Sequence, residues 1–306
     1  MSQDYLEVEE VKVNNMQVYQ QDKAVIDMQI STAKQYPRQL SNCISNAITI
    51  ATLDGKTAQS CMYSLNKGGK NITGPSVVLA KILAQSMGNM RIENRVVGFD
   101  GTHVTCEAVC FDLESNFAIR TQIKKSITGK SGTFSEDMQV IISNAGNSIA
   151  LRNAIFAVIP KSIIDKVYNA ALSVVTGDIS DETKLTAKRT KVFNGFKDAY
   201  NEQKLTDIEI CKAVGKESVA NITGEDLVTL IGFQNSLKSG EMQFTSIFRP
   251  QINMTTAPIS SKEKETERLL VLINASSSKA TLEKLVKNLS TNEERIAYDD
   301  KMKTFK

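Results

Sequence analysis

Residues 89–127, NMRIENRVVGFDGTHVTCEAVCFDLESNFAIRTQIKKSI, carry the clearest structural signal in this chain. Asp100-Gly101 is a strong two-residue hairpin signal between two alternating stretches, 89–99 and 102–111. The turn DLESN then leads into a third stretch, 117–127. The pattern predicts a three-stranded antiparallel β-meander.

The third strand of this meander has two different faces. Side chains alternate between the faces of a strand, so two sets separate. One set is apolar: Phe117, Ile119 and Ile123. The other is polar or small: Ala118, Arg120, Gln122 and Lys124. We therefore predict one face in the core and one that is polar and basic.

Helical patterns flank the meander. Upstream, residues 37–66 show helical spacing interrupted at Asp54-Gly55. A second, short helix is predicted from Thr57, and another helix begins at Ser76 and stops at Gly88. Between them, the glycines and proline of residues 66–75 predict a loop without regular structure.

Downstream, Ser135 is a predicted N-cap, followed by acidic residues and a helix that stops before Pro160. Gly146 lies inside this helix, where glycine costs about 1 kcal/mol relative to alanine. Two explanations stay open: another chain or ligand approaches closely here, or the helix packs tightly on the sheet.

Three shorter helices are predicted further on, over 184–202, 206–215 and 223–240. The fold class is α+β, a β-meander packed by helices, with a small C-terminal helical module. The predicted domains are an acidic N-terminal arm (1–30), a core (31–175), a three-helix module (184–248), and a linker with a charged, partly helical tail (249–306).

Scarcity of residue types excludes several chemistries. The chain has one histidine, His103, and no tryptophan. A multi-histidine metal site is impossible, and His103 has no evident catalytic partner. Cys106 and Cys110 lie about 13 Å apart if their stretch is a strand, too far for a disulfide or a shared zinc. We predict no catalytic residues, no metal site and no enzyme activity, with all five cysteines as small apolar fillers.

Two fragments resemble the end of a phosphate-binding loop, Gly55-Lys56-Thr57 and Gly129-Lys130-Ser131. The full pattern needs a glycine five residues earlier, where this chain has Ile50 and Lys124. No ATP site of that type, and no cofactor, is predicted.

Charge is distributed unevenly. Residues 1–30 have two basic and six acidic residues, whereas residues 31–170 have fifteen basic and nine acidic ones. A basic body favours a polyanionic partner, with a solvated surface as the alternative. The N-terminus has no apolar signal segment, and no apolar run reaches the roughly 20 residues of a membrane helix. The odd cysteine count favours a reducing cytoplasm.

Three stretches resemble phage-encoded single-strand DNA annealing proteins, the broad RecT, Redβ and Erf group. They are GGKNITGPSVVLAKILAQSMGNMRI with the meander, SEDMQVIISNAGNSIALRNAIFAVIPKSIIDKVYNAA, and ITGEDLVTLIGFQNSLKSGE, which together cover most of residues 60–248. The resemblance implies an α-β-β-β-α core, a homo-oligomeric ring or helical filament, and ATP-independent annealing in the cytoplasm of a bacterial host. It also implies that residues 184–248 dock a phage exonuclease or the host single-strand-binding protein.

Under this interpretation, residues 31–175 are the core for DNA binding and oligomerisation, and single-stranded DNA and the annealed duplex lie in a basic groove. Its candidate residues are Arg120, Lys124, Lys125, Lys130, Asn144, Asn147, Arg152 and Lys161. Annealing needs phosphate neutralisation and accessible bases, not a covalent catalyst. The alternative is a phage structural or assembly protein that oligomerises through the same helices and binds no DNA.

Overall fold

The computed structural model describes residues 15–129, 132–177, 182–249 and 292–304 together with Leu269, Ile273 and Glu283. These residues form helices and three small sheets. In chain order the elements are α1 (Asn15–Gln35), α2 (Leu40–Ala51), α3 (Gly55–Ser60), β1 (Met62–Lys67), β2 (Lys70–Pro75), α4 (Val77–Met87), β3 (Met90–Phe99), β4 (His103–Asp112), β5 (Phe117–Ser126), β6 (Thr128–Gly129), β7 (Gly132–Thr133), α5 (Glu136–Val158), α6 (Lys161–Thr176), α7 (Glu182–Ala199), α8 (Asp207–Ala213), a 3₁₀ turn (Val219–Asn221), α9 (Gly224–Lys238), α10 (Phe244–Phe248) and α11 (Asn292–Lys303). The predicted α+β class is confirmed.

The predicted meander is present, with antiparallel strands in the order β3-β4-β5. Its first turn is held by Asp100, whose carboxylate accepts hydrogen bonds from the Thr102 and His103 amides at 3.0 and 2.6 Å. Gly101 has φ +80°, a value that glycine adopts without strain. His103 therefore belongs to this hairpin.

The predicted loop over residues 66–75 is wrong, because this stretch completes a second hairpin. β1 and β2 pair from Met62–Pro75 to Lys67–Lys70. Gly68 and Gly69 have φ of +60° and +75°, which a two-residue hairpin turn requires. The glycines form the turn itself, so regular strands continue on both sides of it.

Helix α5 packs directly on the meander through Gly146. A β-carbon at this position would lie 2.6 Å from the Cys106 Sγ, closer than packed atoms come. Ser135 caps the helix, as predicted, by accepting a hydrogen bond from the Met138 amide. Of the two explanations for Gly146, the structure supports tight helix-on-sheet packing.

Residues 184–248 do not form the separate module that the sequence predicts. Helix α9 lies across β1, and a β-carbon on Gly232 would come within 2.1 Å of the Ser64 Oγ. Ser236 also donates a hydrogen bond to the Ser64 carbonyl at 2.6 Å. The compact unit runs from Met1 to Pro250, and a second unit covers Gln251–Lys306.

Two of the C-terminal helices, α8 and α9, begin where the sequence predicts. Thr206 and Thr223 each form a capping box, with Glu209 and Asp226 respectively. The rings of Phe244 and Phe248 fold back onto α7. Phe248 packs against Phe196 with ring centroids 5.3 Å apart, and Phe244 packs against Tyr200 at 5.0 Å.

In the second unit, Leu269 and Ile273 are helical and buried. Residues 250–262, in the first part of the predicted linker and tail, lie outside the described residues, as do residues 1–14 of the acidic arm. Residues 15–30 of that arm are part of α1.

Candidate nucleic-acid interface

The meander has one covered face and one open face. Helix α5 covers the face that carries the buried Cys106, Ala108 and Cys110. On the same side, the Thr121 Oγ1 donates a hydrogen bond to the Ala150 carbonyl at 2.8 Å. Because side chains alternate along each strand, the residues between these point away from α5. We call this surface the open face and define it by Arg95, Glu107, Arg120, Gln122 and Lys124.

Three cations of the open face reach solvent. The side chains of Arg95, Arg120 and Lys124 are 70%, 64% and 57% exposed. Arg95 on β3 is paired in register with Glu107 on β4, and Glu107 with Gln122 on β5. The prediction that Arg120 and Lys124 share a polar strand face is therefore confirmed, and the sheet adds Arg95 to them.

Two carboxylates are interleaved with these cations. The Glu107 carboxylate lies 3.4 Å from Arg95 Nη2 and 3.9 Å from Arg120 Nε. The hydrogen bond from Gln122 at 2.8 Å, with the charges of both arginines, lowers the pKa of Glu107. Asp100 lies 3.0 Å from the Lys124 Nζ. The hydrogen bond from Thr102 and that from Lys124 lower the pKa of Asp100. Each cation of the open face thus has a carboxylate within reach before any ligand binds.

Lys125 lies on the other side of the sheet from Lys124. Its Cδ would be 3.7 Å from a β-carbon on Gly146, which places the side chain beside α5. Burial lowers the pKa of Lys125, and the charge of Glu241 opposes that shift. The proposed role of Lys125 in the groove is not supported by this position. Lys130 lies outside the described residues.

Arg152 is an interior residue, contrary to its predicted place in the groove. Its Nη1 lies 2.9 Å from Glu241 Oε2, and the two side chains are 8% and 7% exposed. The guanidinium also stacks over the Tyr63 ring, 4.1 Å from its centroid. A buried arginine needs such partners, because an unpaired charge is costly away from water. Arg152 therefore connects α5 to β1 and to the segment after α9.

The remaining candidates are dispersed over two helices. Asn144 is exposed on α5, and Asn147 is half-buried with a side-chain carbonyl that has no hydrogen-bond partner. Lys161 begins α6, and its Nζ is 2.6 Å from Asp165 in an exposed i,i+4 pair. The seven predicted residues that the structure describes therefore do not form one groove. Only Arg120 and Lys124 are brought together on the open face.

A groove that sequence reasoning missed lies between α4, β3 and α5, on the covered side of the edge strand. It is open to solvent and has a volume of about 340 Å³. The lining residues are Lys81, Ala84, Gln85, Met90, Ile92, Asn94, Leu151 and Ile155. We call this the edge groove. Its sequence signal is weak, because the three parts are up to 74 residues apart, from Lys81 to Ile155.

The described residues offer neither a reactive thiol nor a metal-binding cluster. All five cysteines are free and buried, as predicted. Burial raises the pKa of Cys61 to about 11 and that of Cys110 to about 12, so both thiols are protonated at neutral pH. Across the described residues, no group of three or more His, Cys, Asp or Glu side chains is placed to hold a metal ion.

No described helix combines the length and apolar character needed to cross a membrane. No family model, curated protein or solved structure matches this chain.

Proposed function

We propose that the protein binds single-stranded DNA and anneals complementary strands without ATP, as a homo-oligomeric ring or filament in phage recombination. The observation that supports this best is the open face, where Arg95, Arg120 and Lys124 come from two different strands and reach solvent. Such a row matches a phosphate backbone and leaves the bases free for a second strand.

The carboxylates beside these cations are consistent with strand annealing. Annealing requires that strands bind, shift register and release, so affinity per phosphate must be moderate. Glu107 and Asp100 compete with phosphate for the open-face cations. The proposed mechanism is charge neutralisation by a shallow basic surface, with no covalent step and no cofactor.

The proposal includes a partner protein that binds residues 184–248. An exonuclease or the host single-strand-binding protein would dock there, in the cytoplasm of a bacterial host. Because α9 packs on β1, such a partner would bind a surface continuous with the DNA-binding unit.

Salt dependence of binding tests the proposal. The affinity for a fluorescent oligonucleotide should fall with salt, at a log-log slope of about −0.7 per neutralised phosphate. The double variant Arg120→Ala/Lys124→Ala should weaken binding and flatten the slope. Its thermal transition should not change, because both side chains are exposed. The matched control is Lys161→Ala, which removes an exposed lysine outside the open face.

One observation favours the alternative, an assembly protein that oligomerises and binds no DNA. The edge strand β3 carries three exposed apolar side chains: Val96, Val97 and Phe99. Exposed apolar residues on an open strand edge are typical of a surface that pairs with another chain. Oligomerisation without any oligonucleotide binding would select this alternative. Binding with an affinity that does not change between low and high salt would instead contradict the phosphate contacts proposed for the open face.

A further inference from the structure

We infer that the edge groove holds a single nucleotide of the bound DNA strand, with its base between β3 and α5 and its phosphate at Lys81. This inference rests on the proposed function and assigns it a second contact surface. The volume of about 340 Å³ is at the lower end of the roughly 300–1,000 Å³ typical of small-ligand sites. A groove of this size can hold one base.

The lining of the edge groove has the chemistry of a base-binding site. Met90, Ile92, Leu151 and Ile155 give apolar walls, and the exposed Gln85 and Asn94 place amides at the groove. Apolar walls contact the face of a base, and amides offer both a donor and an acceptor to its edge. A few polar groups on apolar walls are the usual composition of a specific ligand site.

The edge groove and the open face differ in whether their cations are paired with carboxylates. No carboxylate is present among the described residues that line it, and no described ion pair involves Lys81. The lysine is exposed on α4, so it is available to a phosphate without displacing an acid. On the open face, by contrast, Lys124 must first leave Asp100.

Strand β3 joins the two surfaces. Arg95 lies on the open face, and its neighbour Asn94 lines the edge groove, because adjacent side chains point to opposite faces. Among the strands that the structure describes, β3 pairs only with β4, so it is an edge strand of this sheet. A DNA strand that follows this edge can contact Arg95 through a phosphate and place an adjacent base in the groove.

Filling the groove from an exposed position tests the inference. Asn94→Phe should obstruct it without disturbing the core, since Asn94 is exposed and phenylalanine is favourable in strands. Glu93→Phe is the matched control, because Glu93 is the exposed neighbour on the opposite face. Gln85→Trp obstructs the groove from α4 and guards against a folding defect specific to β3.

Binding is measured with an oligothymidine and with an abasic strand of the same length. Wild type and Glu93→Phe should prefer the oligothymidine by about tenfold, the scale of one base contact. Asn94→Phe and Gln85→Trp should remove that preference and keep the thermal transition. Lys81→Gln should reduce the salt slope by about 0.7, one phosphate contact on a single strand.

Three outcomes would overturn the inference. If Asn94→Phe and Glu93→Phe keep the same preference, the groove holds no base, although DNA binding itself stands. If dTMP alone binds tightly and the oligothymidine gains nothing over it, the groove belongs to a free nucleotide. If the wild type binds neither strand, the proposed function fails together with this inference.

Discussion

Arg152 on α5 and Glu241, which follows α9, form a buried ion pair with 2.9 Å between Nη1 and Oε2. The two residues are 89 positions apart and belong to parts of the chain that the sequence predicts as different domains. Arg152 also contacts the Tyr63 ring on β1. The pair therefore connects the segment after α9 to α5, the helix that covers the sheet.

Breaking this ion pair should strongly destabilise the first unit. Glu241→Ala leaves the Arg152 charge buried without its partner, at a cost of about 3–5 kcal/mol in the free energy of unfolding. The control is Asp165→Ala, which breaks the exposed pair with Lys161 and should cost less than about 1 kcal/mol. Urea titrations of both variants measure the difference. Equal small losses would show that the Arg152–Glu241 pair contributes little.

Truncation should distinguish one compact unit from two domains. A chain ending at Gly177 loses α9, so it exposes the surface of β1 that Gly232 and Ser236 cover. We expect it to aggregate or to lose its cooperative thermal transition. A chain ending at Pro250 should keep both the transition and oligonucleotide binding, because it retains the whole first unit. A folded, monodisperse 1–177 fragment would restore the two-domain interpretation.

Gly146→Ala should lower the free energy of unfolding, because it overpacks the contact between α5 and β4. Overpacking against the Cys106 Sγ costs about 1–3 kcal/mol, while alanine returns about 1 kcal/mol of helix propensity. We expect a net loss of up to about 2 kcal/mol in wild type. In a Cys106→Ala background the sulfur is absent, so the same change should become neutral or stabilising. A loss of equal size in both backgrounds would exclude this contact as its cause.

Removing the open-face carboxylate should tighten DNA binding. Glu107→Gln frees Arg95 and Arg120 from a competing charge and keeps an amide beside Gln122. Affinity should rise about fivefold at low salt, the equivalent of about 1 kcal/mol, because both arginine partners of the nearly buried Glu107 are exposed. Glu93→Gln, beside Arg91 on the same strand, is the control for net charge. Equal gains in both variants would mean that overall charge, not the Glu107 position, sets affinity.

Much of the local structure was predictable because its signals are short in range. The Asp100-Gly101 turn, the Ser135 cap and the Thr223 capping box each depend on residues within about four positions. The β1–β2 hairpin was missed because Gly68-Gly69 is equally typical of a loop and of a tight turn. The contacts that favour the turn are the pairing of Ser64 with Thr73 and the packing of α9 on β1, and neither is visible in the local sequence.

The candidate site was predictable only where strand alternation defines a face. Alternation placed Arg120 and Lys124 correctly, but it also places Lys125 on the opposite side. Arg152 has the sequence context of a surface cation, and its partner Glu241 is too distant in sequence to be recognised. The edge groove combines Lys81, Asn94 and Leu151 from three elements, so no single stretch reveals it.

The most direct test of the central claim is the annealing rate of two complementary oligonucleotides, measured by fluorescence quenching with EDTA present and no nucleotide. We predict that the protein accelerates annealing well above the spontaneous rate, that added ATP and magnesium are not needed for it, and that Arg120→Ala/Lys124→Ala loses most of the acceleration. A rate equal to the spontaneous one, or acceleration that strictly requires ATP and magnesium, would contradict the account.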